Sequence, residues 1–258
     1  MNRREVLQGM GAVMILSATN GLKAQSAGAS SDVVYELREY HANEGKLDAL
    51  MARFRDHTIA IFNRHGMKSI AYWTPTDEPL KGRTLVYILE HPSRSAAAAN
   101  WKSFHDDPEW VKVSTSSEVN GKLVEKVDST YMTQTDFSPA IKAQTAGDGV
   151  VYELRVYHTN EGKLEPLLKR FREQETSIFE RLGMHGIGYW VPTDEPLKGR
   201  TLVYLLRHKS RDAATESWAK FGKDPEWVKL KAESEANGSF VEKHDITFMT
   251  LTDFSPKV

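Results

Sequence analysis

In the stretch Tyr35-Glu36-Leu37-Arg38-Glu39-Tyr40-His41, an acid, a guanidinium and a phenol occupy alternate positions and an imidazole follows. Alternate residues of a strand project to one side, so Glu36, Arg38 and Tyr40 share a face. That set has the parts to grip an anionic substrate and to move a proton: a fork of charged donors, a phenol and a nearby histidine. The same types recur as Glu153, Arg155, Tyr157 and His158. A buried charge without a partner is costly, which leaves two readings of each Glu-Arg pair. Either it serves a ligand, or it fixes domain pairing or faces water.

Two further groups carry candidate chemistry. Trp73 and Tyr87, with their counterparts Trp190 and Tyr204, could stack on a flat ligand, as could Tyr72 and Tyr189; core packing is the ordinary use of such rings. His41, His91, His158 and His208 lie near strand ends, where an imidazole can pass protons or hold a haem. No H-x-H or H-E-x-x-H spacing accompanies them, and no metal site is predicted. His57, His65 and His105 are replaced in the second copy by Gln174, Leu182 and Gly222, so a symmetric site cannot use them.

These residues must be placed by a repeated scaffold. Val33 to Pro139 aligns with Val150 to Pro256 at a constant offset of 117 without a gap, and 68 of the 107 positions are identical, so both segments share one fold. Each copy is domain-sized, and residues 140–149 read as a short linker. Within a copy the pattern is strand, helix, strand, strand, helix, strand. The strands are expected at Val33 to His41, Ile70 to Trp73, Thr84 to His91 and Leu123 to Thr135. Apolar residues at Leu47, Leu50, Met51, Phe54, Ile61 and Phe62 give the first helix one buried face. The second carries Ala97, Trp101 and Phe104, and Asp107-Pro108-Glu109 starts a further short helix. A βαββαβ chain with right-handed crossovers makes an antiparallel sheet with helices on one face. Its bare face needs a cover, and the twin sheet is at hand, so the halves are expected to close into one barrel. If that barrel encloses a pocket, Glu36, Arg38 and Tyr40 and their counterparts are expected to line it. The loop Pro75 to Arg83 is identical to Pro192 to Arg200, although loops tolerate change better than cores, and this hints at a task.

Composition bounds the rest. With no cysteine, the chain has no disulfide, thiolate metal site or cysteine nucleophile. A net charge of -1 and no basic run imply neither nucleic acid nor an anionic membrane as partner. Arg3-Arg4, a short apolar stretch from Gly9 to Leu16 and Ala27-Gly28-Ala29 resemble a twin-arginine export signal over residues 1–29, which implies a periplasmic or otherwise exported protein with no stable membrane insertion once the signal is removed. No phosphate loop, dinucleotide fingerprint or Ser-His-Asp pattern supports a kinase, dehydrogenase or hydrolase.

The motifs Tyr-Glu-Leu-Arg-x-Tyr-His at Tyr35 to His41 and Tyr152 to His158, with Gly45-Lys46-Leu47, Tyr72-Trp73, Leu85-Val86-Tyr87 and Asp107-Pro108-Glu109-Trp110, resemble the NIPSNAP family of the dimeric α/β-barrel superfamily. The resemblance implies an α+β protein: two tandem ferredoxin-like domains, 33–139 and 150–256, paired sheet to sheet within one chain. Superfamily relatives include haem-degrading and quinol-forming monooxygenases, but fold alone transfers no chemistry. Three functions remain in view: a protein binding a small molecule in or near the barrel; a cofactor-light monooxygenase or isomerase in which Arg38 or Arg155 steadies an anion while His41, His158, Tyr40 or Tyr157 moves protons; and a structural or protein-interaction module. No cofactor is predicted, although a haem or flat organic ligand would suit the aromatic pairs, and further oligomerisation is compatible with the sequence.

Overall fold

The computed structural model describes residues 32–144, 147 and 149–258, and Asp32–Val258 form one compact unit. The leader expected over residues 1–29 lies outside the described residues. The first copy runs β1 (Val34–Ala42), α1 (Leu47–Arg53), α2 (Ile59–Arg64), β2 (Lys68–Pro75), β3 (Thr84–His91), α3 (Arg94–His105), α4 (Pro108–Ser117) and β4 (Val124–Gln134). The second repeats it as β5 (Val151–Thr159), α5 (Leu164–Arg170), α6 (Thr176–Arg181), β6 (His185–Pro192), β7 (Thr201–His208), α7 (Arg211–Phe221), α8 (Pro225–Ser234) and β8 (Val241–Leu251).

The first helix of each copy is a single rod expanded in its middle, where Phe54–Thr58 and Phe171–Glu175 are π-helical. The hydroxyls of Thr58 and Thr176 donate to the carbonyls of Arg53 and Phe171, five residues back, at 3.1 and 3.0 Å. The widened turn keeps Phe54, Ile61 and Phe62 together in one core with Tyr72, Tyr87 and Phe104. Serines cap α3 and α7: Ser93 Oγ accepts from the Ala96 amide at 3.0 Å, and Ser210 Oγ from that of Ala213 at 3.1 Å. Replacing either serine by alanine should cost about 1 kcal/mol in urea unfolding, because an orphan helix amide loses its acceptor.

The sheets β4-β1-β3-β2 and β8-β5-β7-β6 join into a closed eight-stranded barrel. The seams are short. Trp73, Thr74 and Pro75 pair with Leu251, Thr250 and Met249, and Met132, Thr133 and Gln134 pair with Pro192, Val191 and Trp190. Pairing at these seams at one end, and with β3 and β7 at the other, extends β2 and β6 beyond the four residues expected from sequence. Mirrored ion pairs also cross between the copies: Arg94 to Asp194 at 2.9 Å, and Arg211 to Asp77 at 2.8 Å. Since neighbouring strands alternate in direction around the ring, β1 and β5 run the same way. His41 and His158 therefore mark one end of the barrel, the rim, while Tyr35 and Tyr152 mark the other, the floor.

The barrel interior is an apolar core. Leu37, Ala71, Trp73, Val86 and Ile88 meet Leu154, Ile187, Trp190, Val203 and Leu205, and Tyr35 packs on Trp190 as Tyr152 packs on Trp73, with ring centres 5.8 Å apart in both pairs. The expected sheet-to-sheet pairing is present. The expected polar lining is not.

Candidate functional site

Every member of the alternating triplet lies on the helix side of its sheet. Glu36, Arg38 and Tyr40 in the first copy, and Glu153, Arg155 and Tyr157 in the second, point away from the barrel interior, which corrects the expectation that they line it. The opposite face of β1 carries Tyr35, Leu37 and Glu39, and the first two belong to the barrel core.

On the helix side the triplet meets residues from distant elements. Glu36 Oε1 accepts from Arg38 Nη1 at 2.5 Å and from Ser129 Oγ at 2.7 Å. Its Oε2 accepts from Trp101 Nε1 of α3 at 2.6 Å and from His91 Nε2 at 3.2 Å. Arg38 lies over the Trp101 ring, 4.2 Å from its centre, and donates to the Tyr40 hydroxyl at 3.2 Å. The second copy repeats this arrangement: Glu153 accepts from Arg155 at 2.5 Å, Trp218 at 2.7 Å and His208 at 2.8 Å, but Ile246 stands where Ser129 would donate. Burial alone would raise the Glu36 carboxyl, yet the hydrogen bond from His91, the Arg38 charge and the Ser129 and Trp101 donors outweigh it and hold the group down at about 2. Glu153 is likewise lowered.

This network brings together Glu36, Arg38, Tyr40, Tyr87 and His91, and separately Glu153, Arg155, Tyr157, Tyr204 and His208. Tyr40 and Tyr87 pack with ring centres 5.3 Å apart, and Tyr157 and Tyr204 at 5.1 Å. As a reaction centre it is badly placed. Glu36, Glu153, His91 and His208 are all fully buried, and each Glu36 oxygen already has two donors. The cluster bolts α3 and α7 to the sheets. Trp73 and Trp190 lie on the other side, in the barrel core, and Tyr72 and Tyr189 pack beneath the helices.

His41 and His158 part company with the arginines, because their odd offset from Arg38 and Arg155 puts them on the opposite sheet face. His41 Nε2 meets Asp128 Oδ2 at 3.0 Å, and Lys126 joins the same carboxylate at 2.8 Å. His158, Asp245 and Lys243 do the same at 3.0 and 2.8 Å. Between them lies Glu39, an interior acid with Val156 at the matching position, which sequence reasoning passed over. Burial raises its carboxyl, and the charges of His41, Asp128, Lys126 and Asp245 all reach it, so both halves contribute to one polar rim.

Two cavities flank this rim. One, of about 320 Å³, is lined by His41, Pro79, Leu80, Arg83, Thr84, Glu125 and Lys126. The other, of about 360 Å³, is lined by His158, Thr159, Pro196, Leu197, Arg200, Thr201, Glu242 and Lys243. Each residue of the first lining has its identical counterpart in the second. In the first cavity Arg83 pairs with Glu125 at 3.3 Å and Thr84 Oγ1 lies 3.4 Å from His41 Nδ1. In the second, the buried Thr201 hydroxyl has no hydrogen-bond partner among the described residues. The identical loop, which ends on Arg83 and Arg200, was the sequence signal for this site; Lys126 and Lys243 were missed because they lie on the last strand of each copy, far along the chain from that loop.

A sheet-paired tandem α/β barrel with matched rim cavities is the class of protein these features define. The NIPSNAP profile matches residues 35–139 and 152–256, and the chain belongs to that family. No curated protein matches its sequence. Among solved structures, an anthrone oxidase-like protein is similar at a TM-score of 0.58 and 10% identity, over 86% of this chain and 92% of its own. A Lactobacillus acidophilus protein described as a proposed monooxygenase is similar at 0.55 and 13%, over 84% and 93%. A NIPSNAP family protein from Agrobacterium tumefaciens shares 26% identity over 42% of this chain and 97% of its own, with a TM-score of 0.37. The first two likenesses concern the fold alone.

Proposed function

We propose that this NIPSNAP protein is an exported binding protein that takes a small molecule bearing an anionic group into the paired rim cavities. The reading rests on one observation: two cavities of similar size, built by equivalent elements, share His41, Arg83, Thr84, Glu125 and Lys126 with His158, Arg200, Thr201, Glu242 and Lys243, so that two cations face one acid in each. Arginine suits the task because its planar fork binds carboxylate or phosphate through two bonds. Arg3-Arg4 and the small residues before Ala29 support export. An enzyme that couples Arg38 to His41 is disfavoured, since the two groups lie on opposite faces of β1. Among the described residues no helix is long and apolar enough to cross a membrane, and none of their acidic and histidine side chains form a group that could hold a metal.

Native mass spectrometry of protein taken from the periplasmic fraction should show a small co-purifying mass, lost in the double variant Arg83→Ala/Arg200→Ala while the melting temperature stays close to the original. Equal retention of that mass by the variant would defeat the rim reading. Absence of the protein from the periplasm would defeat export.

A further inference from the structure

The floor of the barrel is asymmetric. In the second copy Val258 is inserted into the interior core, and its carbonyl oxygen accepts from the Tyr152 hydroxyl at 2.5 Å. Beside this pair stands Arg207, whose charge and hydrogen bond oppose the upward push of burial on the Tyr152 phenol. The position matching Val258 in the first copy is Ile141, and it behaves differently: it is only partly buried, and the Tyr35 hydroxyl turns instead to Glu90 at 3.2 Å and Gln134 at 3.3 Å. A cavity of about 370 Å³ opens there. Its wall is apolar along Ile70, Ile141, Pro256 and Val258, and Lys68, Lys142 and Lys257 also line it. Among the described residues Glu90 is the one acidic side chain in that lining, and Lys68 neutralises it at 3.0 Å.

We infer that this floor cavity is a second binding site, for a short branched-chain carboxylate whose oxygen takes the Tyr35 hydroxyl in place of Glu90 and Gln134 and whose alkyl group lies on Ile70 and Ile141. The second copy supplies the template, since Val258 presents to Tyr152 an aliphatic group joined to a carbonyl oxygen. The charge agrees. With Glu90 held by Lys68, Lys142 and Lys257 give the cavity an excess of positive charge, which attracts an anion and repels an amine. Burial and the neighbouring Glu90 raise the Tyr35 phenol to about 12, so at neutral pH it keeps its proton and can donate. The site is separate from the rim, and neither reading depends on the other.

Isovalerate is the probe, with isopentylamine as its counterpart of opposite charge, each titrated into the full chain by calorimetry. Isovalerate should bind at one equivalent and isopentylamine should not. Tyr35→Phe should weaken isovalerate roughly tenfold, as expected for a lost hydrogen bond to a charged acceptor, and Tyr152→Phe should leave it unchanged. The surface double variant Lys142→Ala/Lys257→Ala, which disturbs no core residue, should weaken it as well. Failure of isovalerate to saturate, preference for the amine, or equal affinity in Tyr35→Phe and the lysine variant would each overturn the proposal.

Discussion

Replacing Glu36 by alanine is expected to lower the unfolding free energy at neutral pH by about 3–5 kcal/mol, because Arg38, His91 and Trp101 lose a shared acceptor and the guanidinium is left nearly buried without a counter-charge. Acid should erase the difference. The folded carboxyl titrates at about 2 against an ordinary value of 4.5, so its contribution is complete above about pH 4.5 and disappears as the pH falls through 2. The shift corresponds to about 3 kcal/mol. Urea unfolding of wild type and Glu36→Ala at pH 7 and again near pH 2 would check both statements. A loss below about 1 kcal/mol at pH 7 would mean that Arg38 finds another partner. Glu153→Ala should act in the same direction.

Glu175 is expected to show the reverse sign. It is fully buried at the end of the second π-helical segment, where the first copy has Thr58. Burial raises its carboxyl to about 7, and the charge and 2.8 Å hydrogen bond of Arg170 offset that only in part. A folded value above the ordinary 4.5 means that the native state holds a proton which the unfolded chain releases. The contribution of Glu175 to stability is therefore most favourable below about pH 4.5 and declines until about pH 7, by about 3 kcal/mol in all. Glu175→Gln should remove that decline and stabilise the protein at pH 8 by about 2–3 kcal/mol, while Arg170 keeps Glu235 at 2.8 Å. Thermal melts of both proteins from pH 4.5 to 8 would show it. If the variant melts lower at pH 8, the Arg170 pair outweighs the cost of burial.

The repeat made most of the architecture legible before any coordinates. A constant offset dictated two equal folds, and a sheet with one bare face dictated its own twin as cover. Orientation was another matter. Alternation correctly grouped Glu36, Arg38 and Tyr40 against Tyr35, Leu37 and Glu39, but β1 is covered on both sides, so neither group is the solvent face and pattern cannot say which looks inward. What decides it is the company kept. Trp101, His91 and Ser129 satisfy Glu36 from 65, 55 and 93 residues away, and no local spacing announces such partners. The π-helical turns were equally silent, since the apolar stripe from Leu47 to Phe62 reads as an ordinary helix. The rim was half visible: an unchanged loop marked the place, whereas its lysines and aspartates emerge only when β4 and β8 are set against β1 and β5.

Covalent fusion gives this barrel a freedom that a pair of identical subunits lacks. Around an exact twofold axis every substitution appears twice, so an acid at position 39 would confront its own image and a buried carboxylate beneath one helix would recur beneath the other. Here Glu39 answers to Val156, Glu90 to Arg207, Ser129 to Ile246 and Thr58 to Glu175. Each side of the axis can thus acquire its own charge and its own occupant while the seams that hold the barrel shut keep the same register.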